Sequence, residues 1–376
     1  MMGPSVRNPR QTQPRSLVWC AIWSERRVVA DSRERVGGGS EVINRVIAIL
    51  SGVALLGAVF ATPNVTRAAS PTWYVGPNTN VSGGSCEDPD FSTNGSDDHE
   101  EVQDAVVAAT AGDTIILCEG EYYFTNQVSI EKDLTFIGAG EESTVIDGQD
   151  TTRLFNSTAN LTLESMTLQN GNSTGMNDCS DSNWKDGGAV CVNGVASLHS
   201  TQFLNNYSDE WGGAVAAGEV HISSSVFTAN EARGNGGAVV TEPFSVSPED
   251  VASVIEASVF SRNIALEDGA DGADGGAVWT SSYDTPTISR SQFIGNEAGD
   301  DGGAVMAGNL NVAQSRRNLF RANVAGDLGG ALYLASNRRS DATKLKRANR
   351  FYRNQSAKRS ASDIFVDRDG GMGGPP

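Results

Sequence analysis

Past residue 115 the chain carries no stretch with a convincing helical period, which leaves β-structure as the reading for most of its 376 residues. Basic side chains are scarce in its body. Residues 46–315 hold 7 Lys and Arg against 37 Asp and Glu, a balance that argues against nucleic acid as a partner. The longest apolar run, residues 46–61, is short for a membrane span of about twenty residues. No Cys follows that run closely, which argues against a lipoprotein, and no two cysteines stand close together as most metal-binding motifs require. Only 20% of residues are charged while glycine supplies 42, a composition that suits a corner-rich β protein better than a disordered one.

What the chain does contain is a repeat. Phe followed three residues later by Asn occurs six times: Phe203/Asn206, Phe227/Asn230, Phe260/Asn263, Phe293/Asn296, Phe320/Asn323 and Phe351/Asn354. A Gly-Gly-Ala-aliphatic tetrapeptide starts at Gly187, Gly212, Gly236, Gly275, Gly302 and Gly329. The two motifs keep phase, with nine residues from Phe to Gly in four of five cases and fifteen between Phe260 and Gly275. Fixed motifs at a variable period of 24 to 33 residues mean a rigid rung joined by loops of free length. An aliphatic residue lies five before the Phe in Leu198, Ile222, Ile255 and Ile288, and a polar one two before it in Thr201, Ser225, Ser258, Ser291, Asn318 and Asn349. This pattern predicts an all-β fold, a right-handed parallel β-helix solenoid with an N-terminal capping α-helix. Stacking the rungs puts the Phe rings in one interior column and the Asn amides in another. The Asn is expected in the left-handed region, passing amide hydrogen bonds from rung to rung. The paired glycines are expected at a corner too tight for a Cβ.

Phe-x-x-Asn alternating with Gly-Gly-Ala-aliphatic resembles the repeat of the polymorphic outer-membrane protein family, bacterial surface proteins of the pectin-lyase-like β-helix superfamily. The resemblance covers roughly residues 160–366 and implies a surface-exposed, adhesin-type β-helix. Such proteins commonly end in a membrane β-barrel; about twenty residues follow Asn354, so the mode of anchoring is not carried over.

Ahead of the repeats, Arg45 and the apolar run 46–61 read as a signal peptide over residues 42–69, cleaved after Ala61 or after Ala68 or Ala69, with an uncleaved anchor as the alternative. Residues 1–41 fit no targeting scheme and read as a mis-called start, with initiation at Val42. Residues 70–150 form the cap and first coils, residues 151–366 the repeats, and residues 367–376 a flexible tail. In the cap, Val102, Ala105, Val106 and Ala109 share a helix face that would plug the open end. Export makes the four remaining cysteines disulfide candidates. Proximity favours Cys86–Cys118 and Cys179–Cys191 among three pairings, with four-Cys metal ligation as the alternative.

The candidate sites lie on corners. The insert before Gly275 places Asp268, Asp271 and Asp274 at every third position, and Asp300 and Asp301 hold the equivalent corner of the next coil. Carboxylates of adjacent corners would share Ca²⁺; a solvated acidic turn is the other reading. Tyr207 and Trp211, with Trp279 and Tyr283, are sugar-stacking candidates or core. Residues 316–376 carry 13 bases against 5 acids, to dock on an anionic surface or to blunt a terminal rung. No catalytic residue stands out. The superfamily includes pectate lyases and polygalacturonases, but their signatures are lacking, and His199 and His221 flank inward aliphatics and should face solvent. The expectation is a secreted or surface-associated, non-catalytic protein that binds a cell-surface component or polysaccharide. It has no transmembrane anchor in the mature chain and requires no cofactor, with Ca²⁺ as the one candidate ion. The alternative is a lyase or hydrolase acting on acidic polysaccharide.

Overall fold

The computed structural model describes residues 71–77, 83–176, 186–242, 251–266, 272–358 and 363–367. The expected start, signal peptide and most of the tail lie outside them, as do Cys179, Asp268 and Asp271. Every strand pairing among the described residues is parallel, and all but that of Thr72–Gly76 with Phe91–Ser92 join a strand to its counterpart one coil further on. In the strand that follows Gly-Gly-Ala the register runs Val215, Val239, Val278, Val305, Leu332, Ile364. In the next strand of the coil it runs Leu198, Ile222, Ile255, Ile288. In the third it runs Phe203, Phe227, Phe260, Phe293, Phe320, Phe351. A short fourth strand, such as Glu231–Ala232, closes each turn in a six-stranded sheet of its own. The molecule is a right-handed parallel β-helix. It begins before the repeat motif does. Thr72–Gly76, Thr114–Leu117, Leu134–Gly138 and Leu161–Gln169 stack in the same way, with Ile115, Leu117, Phe136, Leu161 and Leu163 as their buried residues.

Inside, the expected columns are present. Successive Phe rings lie 4.7 to 5.0 Å apart with planes within 8° of parallel. Isolated aromatic pairs prefer offset or edge-on contacts, so the near-parallel stack is imposed by the spacing between paired strands, about 4.8 Å. Beside it runs the amide ladder. Asn230 Nδ2 donates to Asn263 Oδ1 at 2.9 Å and to the Phe203 carbonyl at 3.1 Å. Its own Oδ1 accepts from the backbone N and Nδ2 of Asn206. The same bond runs from Asn263 to Asn296, from Asn296 to Asn323 and from Asn323 to Asn354, each at 2.9 Å. These buried amides therefore find partners along the whole column.

One detail corrects the expectation. None of the ladder residues Asn206, Asn230, Asn263, Asn296, Asn323 and Asn354 is itself left-handed. The left-handed residue is the one before each: Asn205, Ala229, Arg262, Gly295, Ala322 and Arg353 have φ between 53° and 64°. The turn must reverse at that residue so that the Asn which follows can point inward. The bend before the Phe strand obeys the same rule. Ser200, Ser224, Ala257, Arg290 and Arg317 have φ between 49° and 62°. The buried polar residue after each accepts or passes an amide bond along a second ladder, from Thr201 through Ser225, Ser258, Ser291 and Asn318 to Asn349.

The Gly-Gly corners need both glycines, for different reasons. The first has φ between 63° and 70°. The second is crowded: a Cβ on Gly276 would lie 2.4 Å from the Gly303 carbonyl oxygen of the next coil. Contact of that kind is what stacking demands of the backbone.

Among the described residues two helices flank the coils. α1, His99–Ala108, buries Val102, Ala105 and Val106 and packs against the strands at Thr72–Gly76, Phe91–Ser92 and Val128–Ile130. The neighbouring disulfide Cys86–Cys118 is formed. Cys191 is disulfide-bonded as well, and its expected partner lies outside the described residues. α2, Arg339–Ala348, is a helix in the stretch past residue 115 where no helical period is convincing. Its only buried residues are Asp341 and Leu345, so it has no apolar stripe for periodicity to find. Its ends carry the signal instead: Asp341 accepts from the Arg338 backbone at 3.0 Å, and Lys346 and Arg347 sit at the negative end of the helix dipole.

Candidate functional site

Each Gly-Gly corner is entered through one residue, and those residues form a column that spacing alone did not single out: Asp186, Trp211, Asn235, Asp274, Asp301 and Leu328. Side-chain oxygens in this column take amides of the following coil. Asp186 Oδ1 accepts from Trp211 N at 3.2 Å and Asn235 Oδ1 from Asp274 N at 2.8 Å. Asp274 Oδ1 accepts from Asp301 N at 2.9 Å and Asp301 Oδ1 from Leu328 N at 2.8 Å. This is a third polar ladder, and at two adjacent rungs it is built of acids where Asn235 does the same work without charge. Aligning the sequence on its Gly-Gly pairs brings the column out.

The consequence is electrostatic crowding. Burial pushes the Asp274 carboxyl up to about 7 against its backbone bond to Asp301, and Asp300 adds to the rise. Burial and then the charge of Asp274 push Asp301 up to about 8. Oxygen atoms of Asp274, Asp300 and Asp301 lie within 4.8 Å of one another. Around them stand Asp327, whose Oδ2 accepts from Lys358 Nζ at 2.5 Å, and Tyr333, whose hydroxyl donates to Asp367 at 3.2 Å. Burial and the same carboxylates hold the Tyr333 phenol well above its ordinary range. Three of the five acids proposed from the sequence are thus brought together, and the other two lie outside the described residues. The arrangement can share a proton between stacked carboxylates, or surround a hard cation with oxygen.

The aromatic candidates separate. Trp279 is 6% exposed, which leaves its ring no open face for a sugar, and its centroid lies 5.6 Å from that of the half-buried Trp211. Both belong to an apolar cluster on the outward side of the Gly-Gly strands, with Cys191, Ala216, Val240, Met306 and Tyr333. The Trp211 indole lies against Gly234, where a Cβ would meet it at 2.4 Å, and sequence periodicity does not reveal the cluster because the strand is apolar on both faces. Tyr207 is half-buried, and Tyr283 is 58% exposed. His199 and His221 face solvent, paired with Ser223 and Glu219 at 2.8 Å.

Among the described residues no helix is long and apolar enough to cross a membrane. No protein-family model matches the sequence, and no curated protein does. Among solved structures, the chain is similar to the PL6 family alginate lyase AlyGC, with 14% identity over 80% of this chain and a TM-score of 0.33. The match spans 39% of that lyase.

Proposed function

We propose that the protein is a secreted or surface-associated β-helix that binds a cell-surface component or polysaccharide and carries out no chemistry on it. The observation that supports this over catalysis is the use to which the crowded carboxylates are put. Asp274 and Asp301 each commit an oxygen to a backbone amide of the next coil. They are aimed along the solenoid axis as a structural ladder, whereas a glycosidase pair must flank a sugar from two sides. The likeness of the coils to polymorphic outer-membrane protein repeats supports the surface role.

Calcium belongs to the same proposal, as an ion held at the corner by Asp274, Asp300 and Asp301. Binding to the folded state alone raises stability by about 1.4 kcal/mol at ten times Kd. Millimolar calcium is expected to raise the melting temperature, magnesium much less, and Asp274→Asn with Asp301→Asn to abolish the shift. The reading as a binding protein is tested by incubating the chain with alginate, pectate and other uronides, with and without calcium. No unsaturated product and no new reducing ends are expected. Turnover of any of them, lost in the same double variant, would instead establish the lyase or hydrolase.

A further inference from the structure

Where the acidic body meets the basic segment 316–376, the described residues form a strongly basic surface on the outside of the bend between the second and third strands of the last coils. Arg290 and Arg317 occupy the left-handed position of that bend in successive coils and are exposed there. Arg347 arrives from the last turn of α2, and Arg350 opens the strand that follows it. With Gln292 they line a hollow of about 460 Å³. A second hollow of about 310 Å³ shares Arg290 and Arg317 and adds Arg316, Gln314 and Thr287. The two make one trough running along the axis.

Five guanidinium groups line it against a single carboxylate, Glu256, which is already paired with Arg290. Among the described residues, Arg316, Arg317, Arg347 and Arg350 have no ion pair and no side-chain hydrogen bond. Like charges converging without partners oppose the fold. In a chain of net charge −18, whose residues 46–315 hold 7 bases against 37 acids, this gathering of five arginines is a local reversal of sign.

We infer that this trough is a binding site for a linear acidic polysaccharide, a polymer of uronate or sulfated sugars. The inference rests on the binding reading above and names its ligand. Guanidinium forks match carboxylate and sulfate oxygens two at a time. Arginines from successive coils stand about 4.8 Å apart along the axis, a spacing on the scale of one sugar residue, so each coil meets the anionic group of the next residue in the polymer. Thr287, Gln292 and Gln314 stand among the arginines as uncharged partners for ring hydroxyls. A nucleic acid fits less well, since no aromatic ring lines either hollow on which a base could stack.

The test is calorimetric titration of the full chain with polygalacturonate, alginate and heparin, beside neutral dextran and oligo(dT). Binding to at least one acidic polysaccharide is expected, weakening as salt rises, with none to dextran. Arg317→Gln with Arg350→Gln is expected to weaken it at least about tenfold with the melting temperature unchanged or raised, since two mutually repelling charges are removed. Arg262→Gln, exposed but outside the trough, is expected to leave it intact. Should the first pair fail to fold, Arg316→Gln with Arg347→Gln removes two exposed groups from the same trough. Undiminished binding by the glutamine variants would overturn the site and leave the polysaccharide reading standing. Failure of every acidic polysaccharide to bind would sink both, and equal or tighter binding of oligo(dT) would reassign the trough to nucleic acid.

Discussion

Asp274 and Asp301 occupy places where Asn235, in the same column, accepts the same amide bond without charge. Their folded pKa values are raised, to about 7 and about 8, while an unfolded chain would titrate them near 3.8. Between those limits the native state holds more protons than the unfolded one, so stability falls as pH rises from about 4 to about 8 and is level above. Asp97, Asp113 and Asp341 are shifted downward, so their contributions change only in stronger acid, outside this window. Asp300, Asp327 and Lys358 face the same corner and set its field. Melting temperatures at pH 5 and pH 8.5 should differ clearly in the parent chain and less in Asp301→Asn, which should be the more stable protein at the higher pH; Asp274, Asp186, Asp284 and Glu242, all raised by burial, keep the remaining dependence. An unchanged pH dependence in the variant would mean that the column is not what titrates.

The unit of construction is the bend, a left-handed residue followed by a polar one that takes an amide from the neighbouring coil. Because the requirement falls on backbone, Ser, Ala, Arg, Asn and Gly all fill the left-handed place. The second glycine of each Gly-Gly pair is different, since the obstacle is the adjacent coil. Two substitutions to alanine separate these cases. Gly295→Ala, at φ 64° with only the Arg262 side chain nearby, repeats what Ala229 and Ala322 already do and should cost about 1 kcal/mol, the low end of the left-handed penalty. At Gly276 the new Cβ would sit 2.4 Å from the Gly303 oxygen and 2.5 Å from the Glu297 carbonyl carbon, so two coils must part. Several times the loss at Gly295 is expected there, about 3 kcal/mol or more, read from urea midpoints. Similar losses at both positions would contradict the distinction.

Across the whole molecule each coil is stabilised by its neighbours, so position along the axis sets how much a core residue contributes. Phe260 is fully buried, with a stacked ring on either side. Phe351 is half-buried and stacks on Phe320 alone among the described rings. Phe260→Ala should cost about 3–5 kcal/mol, Phe351→Ala clearly less, and hydrogen exchange should be fastest around Arg350–Tyr352 in the parent chain. Equal losses at the two positions would count against a solenoid whose stability falls away along its axis.

The β-helix, its Phe and Asn columns, the polar ladder before the Phe and the disulfide Cys86–Cys118 were legible because they follow from local rules. A side-chain alternation, two motifs in fixed phase and a parallel stack place like over like whatever the loops do. The left-handed residue was misassigned by one place, to Asn296 where it is Gly295 and to Asn323 where it is Ala322. φ at a corner is not encoded by residue type when Ala and Arg occupy it as readily as Asn. α2 escaped because its docking uses Asp341 and Leu345 where an apolar stripe was sought. The acidic column, the outward apolar cluster of Trp211 and Trp279 and the arginine trough belong to a different order of information. Their members are separated by whole coils and by loops of unequal length, and their environments depend on how those coils align and which side chains cover them. Charge repulsion, desolvation and the contact of Trp211 with Trp279 arise only when residues distant in sequence are brought within a few ångströms, and it is stacking that brings them there.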